Sequence, residues 1–319
     1  SVIQMVEPDI IQLFGLEHSY SSILGSTKIP VVIHLQGMIG PYSIKDKSNQ
    51  RFSKSIKIGS LREVLKQRIT EKKRMQRLAI EESSYQHAKY FFGRTDWDRY
   101  FAKSVAPQAE YMVCQEIMRS QFYDVIWSYP GDLNHSSDLK TSKNNTFQIY
   151  STLSGSPRKN VDIIYRADQL LRTYHPTFQV KWNIGGLDTS SDIYQAIRKS
   201  GLGSDRIELL GRLNASEIIE QMNASHLYVF PSAIDNSPNS LQEAMLIGMP
   251  VLATHAGGVS SLIEHEKTGI LIPEGEPYAL AGAVAELSGQ KEKLLELGRN
   301  ARAVALTRNS PKNVEESLL

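Results

Sequence analysis

Two acidic residues in the second half of the chain, Asp235 and Glu243, have seven residues between them. The first lies in a polar loop, and the second lies one turn inside a predicted helix. Carboxylates accept hydrogen bonds from hydroxyl groups, and the free N–H groups at a helix start can bind phosphate. The spacing therefore favours a ligand that carries both kinds of group. An ordinary strand–helix–strand crossover with a polar loop accounts for the same residues equally well.

The elements that position this pair are predicted from residues 227–258. The stretch opens with four apolar residues and a proline, which predicts a buried parallel strand. Asn239 or Ser240 can cap the helix that follows, Gly248 ends it, and the next strand begins after Pro250. Since open α/β sheets bind ligands at the carboxyl ends of their strands, we expect the loop to lie at a ligand-binding edge.

The same residues resemble a known family. An acid, seven residues, a glutamate, then Ala244 and Gly248-x-Pro250 is similar to the nucleotide-sugar site of the retaining GT-B glycosyltransferases of family 4 (group 1), a large family of bacterial sugar transferases. The family has a glutamate where this chain has the shorter Asp235. The resemblance implies that Glu243 binds the ribose of the donor nucleotide and that Asp235 binds the donor sugar.

The resemblance also implies a fold and a reaction. The fold is α/β, of the GT-B type, with two Rossmann-like domains facing across a cleft. The reaction is transfer of a sugar, with retention, from a nucleotide diphosphate sugar to a glycan or lipid-linked acceptor in cell-surface polysaccharide synthesis, with no cofactor and no metal. Alternating strand and helix patterns in the second half separately predict a doubly wound parallel sheet.

We place the domains at residues 1–128 and 146–319, joined by a polar, turn-rich linker at 129–145. The first domain is expected to lack its first elements, because the opening residues resemble the middle of the family's first domain. We also expect the helix at 291–306 and the polar end of the chain to pack on the first domain, as the family's last helix does.

Other residues are assigned to the donor by their place in the family's pattern. Lys159 corresponds to the lysine that contacts the diphosphate. The family's preceding arginine has no counterpart, so Arg158 either replaces it or is a solvated loop charge. Gly211 stands where the family holds the nucleotide base through backbone groups, and Arg212 is either a surface residue or stacks on the base. Main-chain N–H groups complete the predicted diphosphate site, at Ser237, Asn239 and Ser240.

Three residues of the first domain are candidates for the cleft. Gln36, with Asp235 and Lys159, forms the predicted catalytic set. The family has a histidine at its position, and a glutamine can hydrogen-bond but cannot act as a general base. Such a transferase needs no enzyme base, because the leaving phosphate takes the acceptor's proton. Arg94 is either a phosphate or acceptor contact or a structural residue, and His18 is either a sugar-binding group or a helix-start histidine.

Composition limits the alternatives. The chain has 319 residues, 41% of them hydrophobic and 22% charged, which is typical of a globular protein of two domains. Its one cysteine excludes an internal disulfide and favours the cytoplasm. The net charge of +2 does not predict a nucleic-acid partner.

Residues 45–77 are strongly basic and contain an amphipathic helix. This segment is either a solvated surface or a peripheral contact with anionic lipid on the inner face of a membrane. Farther on, Glu116 and Arg119 stand at helical spacing within 111–123 and are expected to form an ion pair.

Two other functions stay open on the sequence alone. A nucleotide-sugar epimerase or hydrolase would use the same fold, and the missing arginine leaves room for it. A non-catalytic subunit that binds a nucleotide sugar is favoured by the missing arginine, by Gln36 and by the way the chain begins.

Overall fold

The computed structural model describes residues 2–16, 19–54, 61–131 and 146–318. The chain forms two compact units, one made of Ser1–Glu116 with Glu315–Leu319 and the other of Ile117–Val314. We call them the first and second units. Each has its own parallel sheet and its own apolar core.

The first unit is built on four parallel strands that lie side by side in chain order. The strands are β1 (Ile11–Phe14), β2 (Val31–His34), β3 (Tyr90–Gly93) and β4 (Glu110–Val113), and the helices are α1 (Val2–Val6), α2 (Ile39–Lys54), α3 (Leu61–Tyr85) and α4 (Asp96–Val105). β2 is buried along its whole length because it lies between β1 and β3 and carries three apolar residues out of four.

The start of α4 fixes the loop after β3. Thr95 caps the helix: its hydroxyl accepts from the Asp98 N–H at 3.2 Å, and the Asp98 carboxylate accepts from the Thr95 N–H at 3.2 Å. Asp98 is fully buried and also accepts from the Arg94 N–H at 2.9 Å and from the Tyr111 hydroxyl at 2.5 Å. Burial and the negative charge of Asp98 raise the pKa of Tyr111.

The second unit contains a six-stranded parallel sheet in the order β10-β9-β8-β5-β6-β7. Its strands are β5 (Phe147–Thr152), β6 (Val180–Gly185), β7 (Ile207–Gly211), β8 (Leu227–Phe230), β9 (Val251–Thr254) and β10 (Ile270–Ile272). Its helices are α5 (Gln121–Asp124), α6 (Val161–Tyr174), α7 (Asp192–Lys199), α8 (Ala215–Asn223), α9 (Asn239–Ile247), α10 (Pro277–Ser288), α11 (Lys291–Arg308) and α12 (Pro311–Glu316). The chain adds strands on one side of β5 and then on the other, so the direction of winding reverses between β5 and β8.

The boundary between the units lies earlier than the predicted domain end at residue 128. Residues 117–128 belong to the second unit, because Phe122 and Trp127 are buried in its core. The turn-forming residues that suggested a linker begin only at Pro130. Residues 132–145 of the predicted linker lie outside the described residues.

The expected packing of the last long helix is wrong. α11 packs on α9 within the second unit, and a Cβ atom at Gly298 would lie 2.1 Å from the Gly248 carbonyl oxygen. The two helix backbones therefore approach more closely than any other residue would allow. Only Glu315–Leu319 groups with the first unit.

Within the part of the chain that the structure describes, no helix has the length and apolarity needed to cross a membrane.

Candidate functional site

The point where the winding of the second sheet reverses brings the predicted donor residues together. Lys159 follows β5 and Asp235 follows β8, and these two strands are neighbours. Glu243 lies in α9, the helix that follows the same loop. Crevices outside the carboxyl ends of strands at such a point are the usual ligand sites of open α/β sheets.

Lys159 and Asp235 form an ion pair. The lysine Nζ donates to the Asp235 Oδ2 at 2.5 Å and lies 5.1 Å from the centre of the Phe230 ring. Both side chains are partly exposed. Lys159 is the last residue of the short 3-10 turn Pro157–Lys159, and Asn160 after it has φ of 49°. Asparagine tolerates this left-handed conformation better than most residues do.

Glu243 is bound by an arginine that the sequence did not assign to it. Nε of Arg119 donates to Oε1 at 2.7 Å, and Nη2 donates to Oε2 at 2.8 Å, which makes a two-pronged ion pair. The hydrogen bond to Glu243 raises the pKa of Arg119. The expected Glu116–Arg119 pair is therefore wrong: residues 114–119 do not form a helix, so the helical spacing does not apply.

The start of α9 lies next to these ion pairs in the chain. The capping residue is Pro238, so neither Asn239 nor Ser240 caps the helix as predicted, and the proline side chain makes no capping hydrogen bond. Ser237 is buried, and its hydroxyl accepts from the Gln242 side chain at 3.1 Å. Asn239 is exposed and Ser240 is partly buried. Unbonded N–H groups at a helix start are suited to an anion.

A glycine turn holds the loop that carries Asp235. Gly257 has φ of 58°, and a Cβ atom there would lie 2.2 Å from the Asp235 carbonyl oxygen. That oxygen accepts from the Gly258 N–H at 2.8 Å. This turn fixes the backbone of Asp235.

The other donor candidates lie in loops of the second unit. Arg158 is partly exposed; its Nε donates weakly to the Ser156 hydroxyl at 3.4 Å, and its carbonyl accepts from the Ala233 N–H at 2.7 Å. Gly211 has φ of 68°, and a Cβ atom there would meet nothing within 4 Å, so a flat group could approach its backbone. Arg212 is exposed. The contacts assigned to these three residues stay predictions.

Two candidates of the first unit, Arg94 and Gln36, bind the same carboxylate, that of Glu116, which was expected to pair with Arg119. Its carboxylate accepts from Nη1 of Arg94 at 2.7 Å and from Nε2 of Gln36 at 2.7 Å. Arg94 is buried and also donates to the Leu35 carbonyl at 3.0 Å. These contacts give Arg94 a structural explanation beside its predicted ligand role, which stays a prediction.

His18 lies outside the described residues. His34 is buried at the end of β2, within hydrogen-bonding distance of the Gln12 side chain at 3.2 Å. Burial, and then the charge of Arg94, lower the pKa of His34. Among the described residues, no group of three or more histidine, cysteine, aspartate or glutamate side chains is placed to share a metal ion.

Comparison with known proteins gives a consistent picture. A family model described as "Glycosyl transferases group 1" matches residues 136–304. The amylovoran biosynthesis glycosyltransferase AmsK of Erwinia amylovora is 27% identical over 171 residues, which are 52% of this chain and 42% of that protein. The putative colanic acid biosynthesis glycosyltransferase WcaL of Salmonella typhimurium is 33% identical over 90 residues, which are 26% of this chain and 22% of that protein. The match thus spans less than half the length of these relatives.

Solved structures resemble the chain over nearly its whole length. Alr3699/HepE of Anabaena, solved in complex with UDP and glucose, is 21% identical with a TM-score of 0.69, and the match covers 99% of this chain and 78% of that one. Sucrose-phosphate synthase of Thermosynechococcus elongatus is 15% identical with a TM-score of 0.73, covering 99% and 73%. At these identities the likeness establishes the fold.

Proposed function

The chain belongs to the group 1 glycosyl transferases and has the GT-B fold, and from this we propose that it transfers a sugar, with retention, from a nucleotide diphosphate sugar to a glycan or lipid-linked acceptor. The observation that carries the proposal is the grouping of Lys159, Asp235 and Glu243 at the point where the second sheet reverses its winding. A cation, two carboxylates and a helix start are the groups that a sugar nucleotide requires.

Each group has a separate task in this proposal. Lys159 and the N–H groups at the start of α9 bind the diphosphate, while Glu243 accepts from the ribose hydroxyls and Asp235 from the donor sugar. In the reaction the bond from the anomeric carbon to the diphosphate oxygen breaks, and a bond from that carbon to the acceptor oxygen forms. The acceptor's proton passes to the leaving diphosphate. Lys159 stabilises the charge that develops there.

The Lys159–Asp235 ion pair is compatible with this scheme. The diphosphate offers the lysine a stronger partner than one carboxylate, so Lys159 can turn to it and release Asp235 to the sugar hydroxyls. Because a lysine and N–H groups neutralise the diphosphate, we expect transfer without a divalent metal. Transfer that depends strictly on Mg²⁺ would contradict this part of the scheme.

Two solved structures of one neighbour support a nucleotide diphosphate as the donor's anionic part. HepE of Anabaena was solved with UDP and also with UDP-glucose. Nothing in this chain's described residues selects uracil over another base, so the donor class proposed here is a nucleotide diphosphate sugar.

An exposed basic face on α3 supports the proposed contact with a membrane that holds a lipid-linked acceptor. Arg68, Lys72, Lys73 and Arg77 are exposed there, together with the apolar Ile69, Met75 and Ile80. Side chains at 47–67, part of the same predicted segment, lie outside the described residues.

We expect the chain to bind vesicles in which a fifth of the lipid is anionic, and we expect 0.5 M salt to release it. Equal binding to neutral vesicles would refute an electrostatic contact.

The proposal is tested first by binding. Calorimetric titration with UDP, GDP and ADP should show saturable binding of one of them to the wild-type chain. Glu243→Ala should weaken that binding by about 10–100-fold, because it removes hydrogen bonds to a charged acceptor. Glu208→Ala, which removes an exposed carboxylate on β7, should have no effect. If no nucleotide binds, the assignment of the site is wrong.

Product analysis then separates the alternatives. With the matching sugar nucleotide, wild-type chain should release nucleotide diphosphate only when an acceptor is present, and the new linkage should keep the donor's anomeric configuration. Free sugar without acceptor would indicate a hydrolase, and a changed sugar still attached to the nucleotide would indicate an epimerase. Binding without any turnover would favour a non-catalytic subunit.

A further inference from the structure

Arg119 occupies a place that the proposed donor site does not yet explain. Its guanidinium binds both carboxylate oxygens of Glu243 and lies with its central carbon 4.7 Å from the centre of the Phe122 ring. Phe122 is fully buried. A guanidinium held by a fork and a ring face has little freedom, so Arg119 fixes the plane of the carboxylate.

The backbone that carries Arg119 is itself tied to the second unit. The Met118 N–H donates to the Tyr123 hydroxyl at 2.9 Å, and that hydroxyl donates to the Asn309 carbonyl at 2.6 Å. The Trp127 N–H donates to the Ile247 carbonyl at the end of α9, at 2.6 Å. These hydrogen bonds attach the segment 117–127 to the second unit, and the last of them attaches it to α9, the helix that contains Glu243.

The Glu243 carboxylate has hydrogen-bonding capacity that Arg119 does not use. A carboxylate has about four lone-pair positions, and the fork uses one on each oxygen. One position on each oxygen thus has no protein donor, and because these two positions point away from each other, either oxygen can accept from one ribose hydroxyl. In the part of the chain that the structure describes, Nη1 of Arg119 has no hydrogen-bond partner, and the side chain is partly exposed.

From this geometry we infer that Arg119 is the positioning residue that aims Glu243 at the ribose, and that it sets the preference of the site for ribonucleotides over deoxyribonucleotides. The inference rests on the proposed function, because it takes Glu243 as the ribose ligand. The arginine acts through Glu243, whose carboxylate it holds in one plane, and needs no contact with the reacting atoms.

The experiment compares ribo and 2′-deoxy nucleotides. Wild-type chain is titrated with UDP, GDP and ADP, and then with the 2′-deoxy form of whichever binds. We expect the wild-type chain to bind the ribonucleotide at least tenfold more tightly than the deoxynucleotide. Arg119→Gln should weaken ribonucleotide binding about tenfold and deoxynucleotide binding much less, so that the preference nearly disappears.

Two further variants separate orientation from charge and from folding. Arg119→Lys keeps the charge but lacks the fork, so it should lose the preference almost as fully as Arg119→Gln. Arg172→Gln is the matched control, because Arg172 is also a partly exposed arginine that donates from Nε to a buried carboxylate, Asp168, at 2.9 Å on α6. It should leave both affinities unchanged.

The outcomes are distinguishable. If the wild-type chain binds no nucleotide, the proposed function fails and this inference fails with it. If the wild-type chain binds but Arg119→Gln keeps the full ribose preference, or binds more tightly, only the role of Arg119 is overturned. An equal loss of affinity for both nucleotides would indicate a merely structural role and would also overturn it.

Discussion

The two units each contain an arginine–glutamate pair with a shortest distance of 2.7 Å, but the pairs are buried in opposite senses. In the first unit the cation is inside: the Arg94 side chain is 4% exposed and that of Glu116 is 20% exposed. In the second unit the carboxylate is inside: Glu243 is 5% exposed and Arg119 is 43% exposed. The same chemistry therefore presents different groups to solvent.

The contrast shows which partner each unit cannot lose: the buried Arg94 needs Glu116, and the buried Glu243 needs Arg119. A buried charge left without its partner is strongly destabilising, whereas a partly exposed one can be solvated. Arg94 also donates to the Leu35 carbonyl, so its cluster holds the ends of two strands together. Glu243 has open lone pairs beside a helix start, so its cluster is suited to a ligand. We therefore expect Glu116→Ala to destabilise the first unit, and Arg119→Gln to destabilise the second unit in addition to its effect on nucleotide binding.

The largest expected effect is on turnover, at Lys159. Lys159→Ala should lower kcat about 100–1000-fold, because it removes a fixed cation from the leaving diphosphate. The melting temperature should change little, since a partly exposed ion pair contributes at most about 1 kcal/mol. Initial rates of sugar transfer at saturating donor measure the effect.

Lys181→Ala is the control for that experiment. Lys181 pairs with Glu208 at 2.6 Å on the exposed edge of the sheet, away from the site. It should keep the wild-type kcat. A Lys159→Ala chain that turns over at the wild-type rate would show that the second unit's charges do not serve catalysis.

The next largest effect is on stability, at Glu116. Glu116→Ala leaves Arg94 buried without this counter-charge and should lower the free energy of unfolding of the first unit by about 3 kcal/mol. Amide hydrogen exchange of β3, followed by mass spectrometry, should speed up about a hundredfold, while exchange of β8 stays unchanged.

Asp96→Asn supplies the comparison for Glu116, because the Asp96–Arg99 pair is exposed on both sides. The Asp96→Asn substitution should lower the free energy of unfolding by less than about 1 kcal/mol. Equal exchange rates in Glu116→Ala and wild-type chain would remove the contrast between the two pairs.

The strands, loop and helix of the second-unit candidate site are predictable from the sequence because their signals are local. Asp235 and Glu243 stand in one loop and helix, and β8 and β9 are continuous apolar runs buried over their whole length. Such runs are recognisable without knowledge of partners. The first unit is harder to predict from the sequence, because β4 is mostly exposed and lacks an apolar run.

The errors come from contacts between residues far apart in the chain. Arg119 and Glu243 are 124 positions apart, and no local pattern links them. Helical spacing suggested a nearer partner for Arg119, but the backbone before it is extended. The boundary between the units differs from the prediction for a related reason. The turn signals of Pro130 and Gly131 suggested the linker, but Phe122 and Trp127, which precede them, are buried in the core of the second unit.

A smaller effect is expected from the glycine turn beside Asp235. Gly257→Ala introduces a Cβ atom 2.2 Å from the Asp235 carbonyl oxygen at φ of 58°. It should lower kcat/KM about tenfold by displacing the loop and should cost about 2 kcal/mol of stability. Gly201→Ala has the same kind of strain, with φ of 81°, but meets nothing within 4 Å. It should cost about 1 kcal/mol and leave kcat/KM unchanged; equal losses in the two variants would show that the contact with Asp235 is unimportant.

The smallest expected effect concerns a half-buried histidine of the second unit, His226. Nδ1 of His226 accepts from the Gln148 N–H at 2.9 Å, and the ring stacks on Phe147 with 5.1 Å between centroids. Burial lowers the pKa of His226 to about 4, from about 6.5 in an unfolded chain. The unfolded state therefore binds more protons between these values, and the folded state loses stability as the pH falls from 6.5 towards 4. Above pH 6.5 this stabilisation is fully present.

His226→Asn tests that sign. The asparagine Oδ1 can accept from the Gln148 N–H as Nδ1 does, but it does not titrate. Between pH 7 and pH 5 the wild-type second unit should lose about 1 kcal/mol more stability than the variant, after discounting for the partial exposure of the ring. Exchange rates of β5 and β8 amides at the two pH values measure the difference. In the first unit the charge of Arg94 also lowers the pKa of His34, so β2 should keep its acid sensitivity in the variant. A variant whose β8 is as acid-sensitive as the wild type would mean that another group in the second unit takes up the proton.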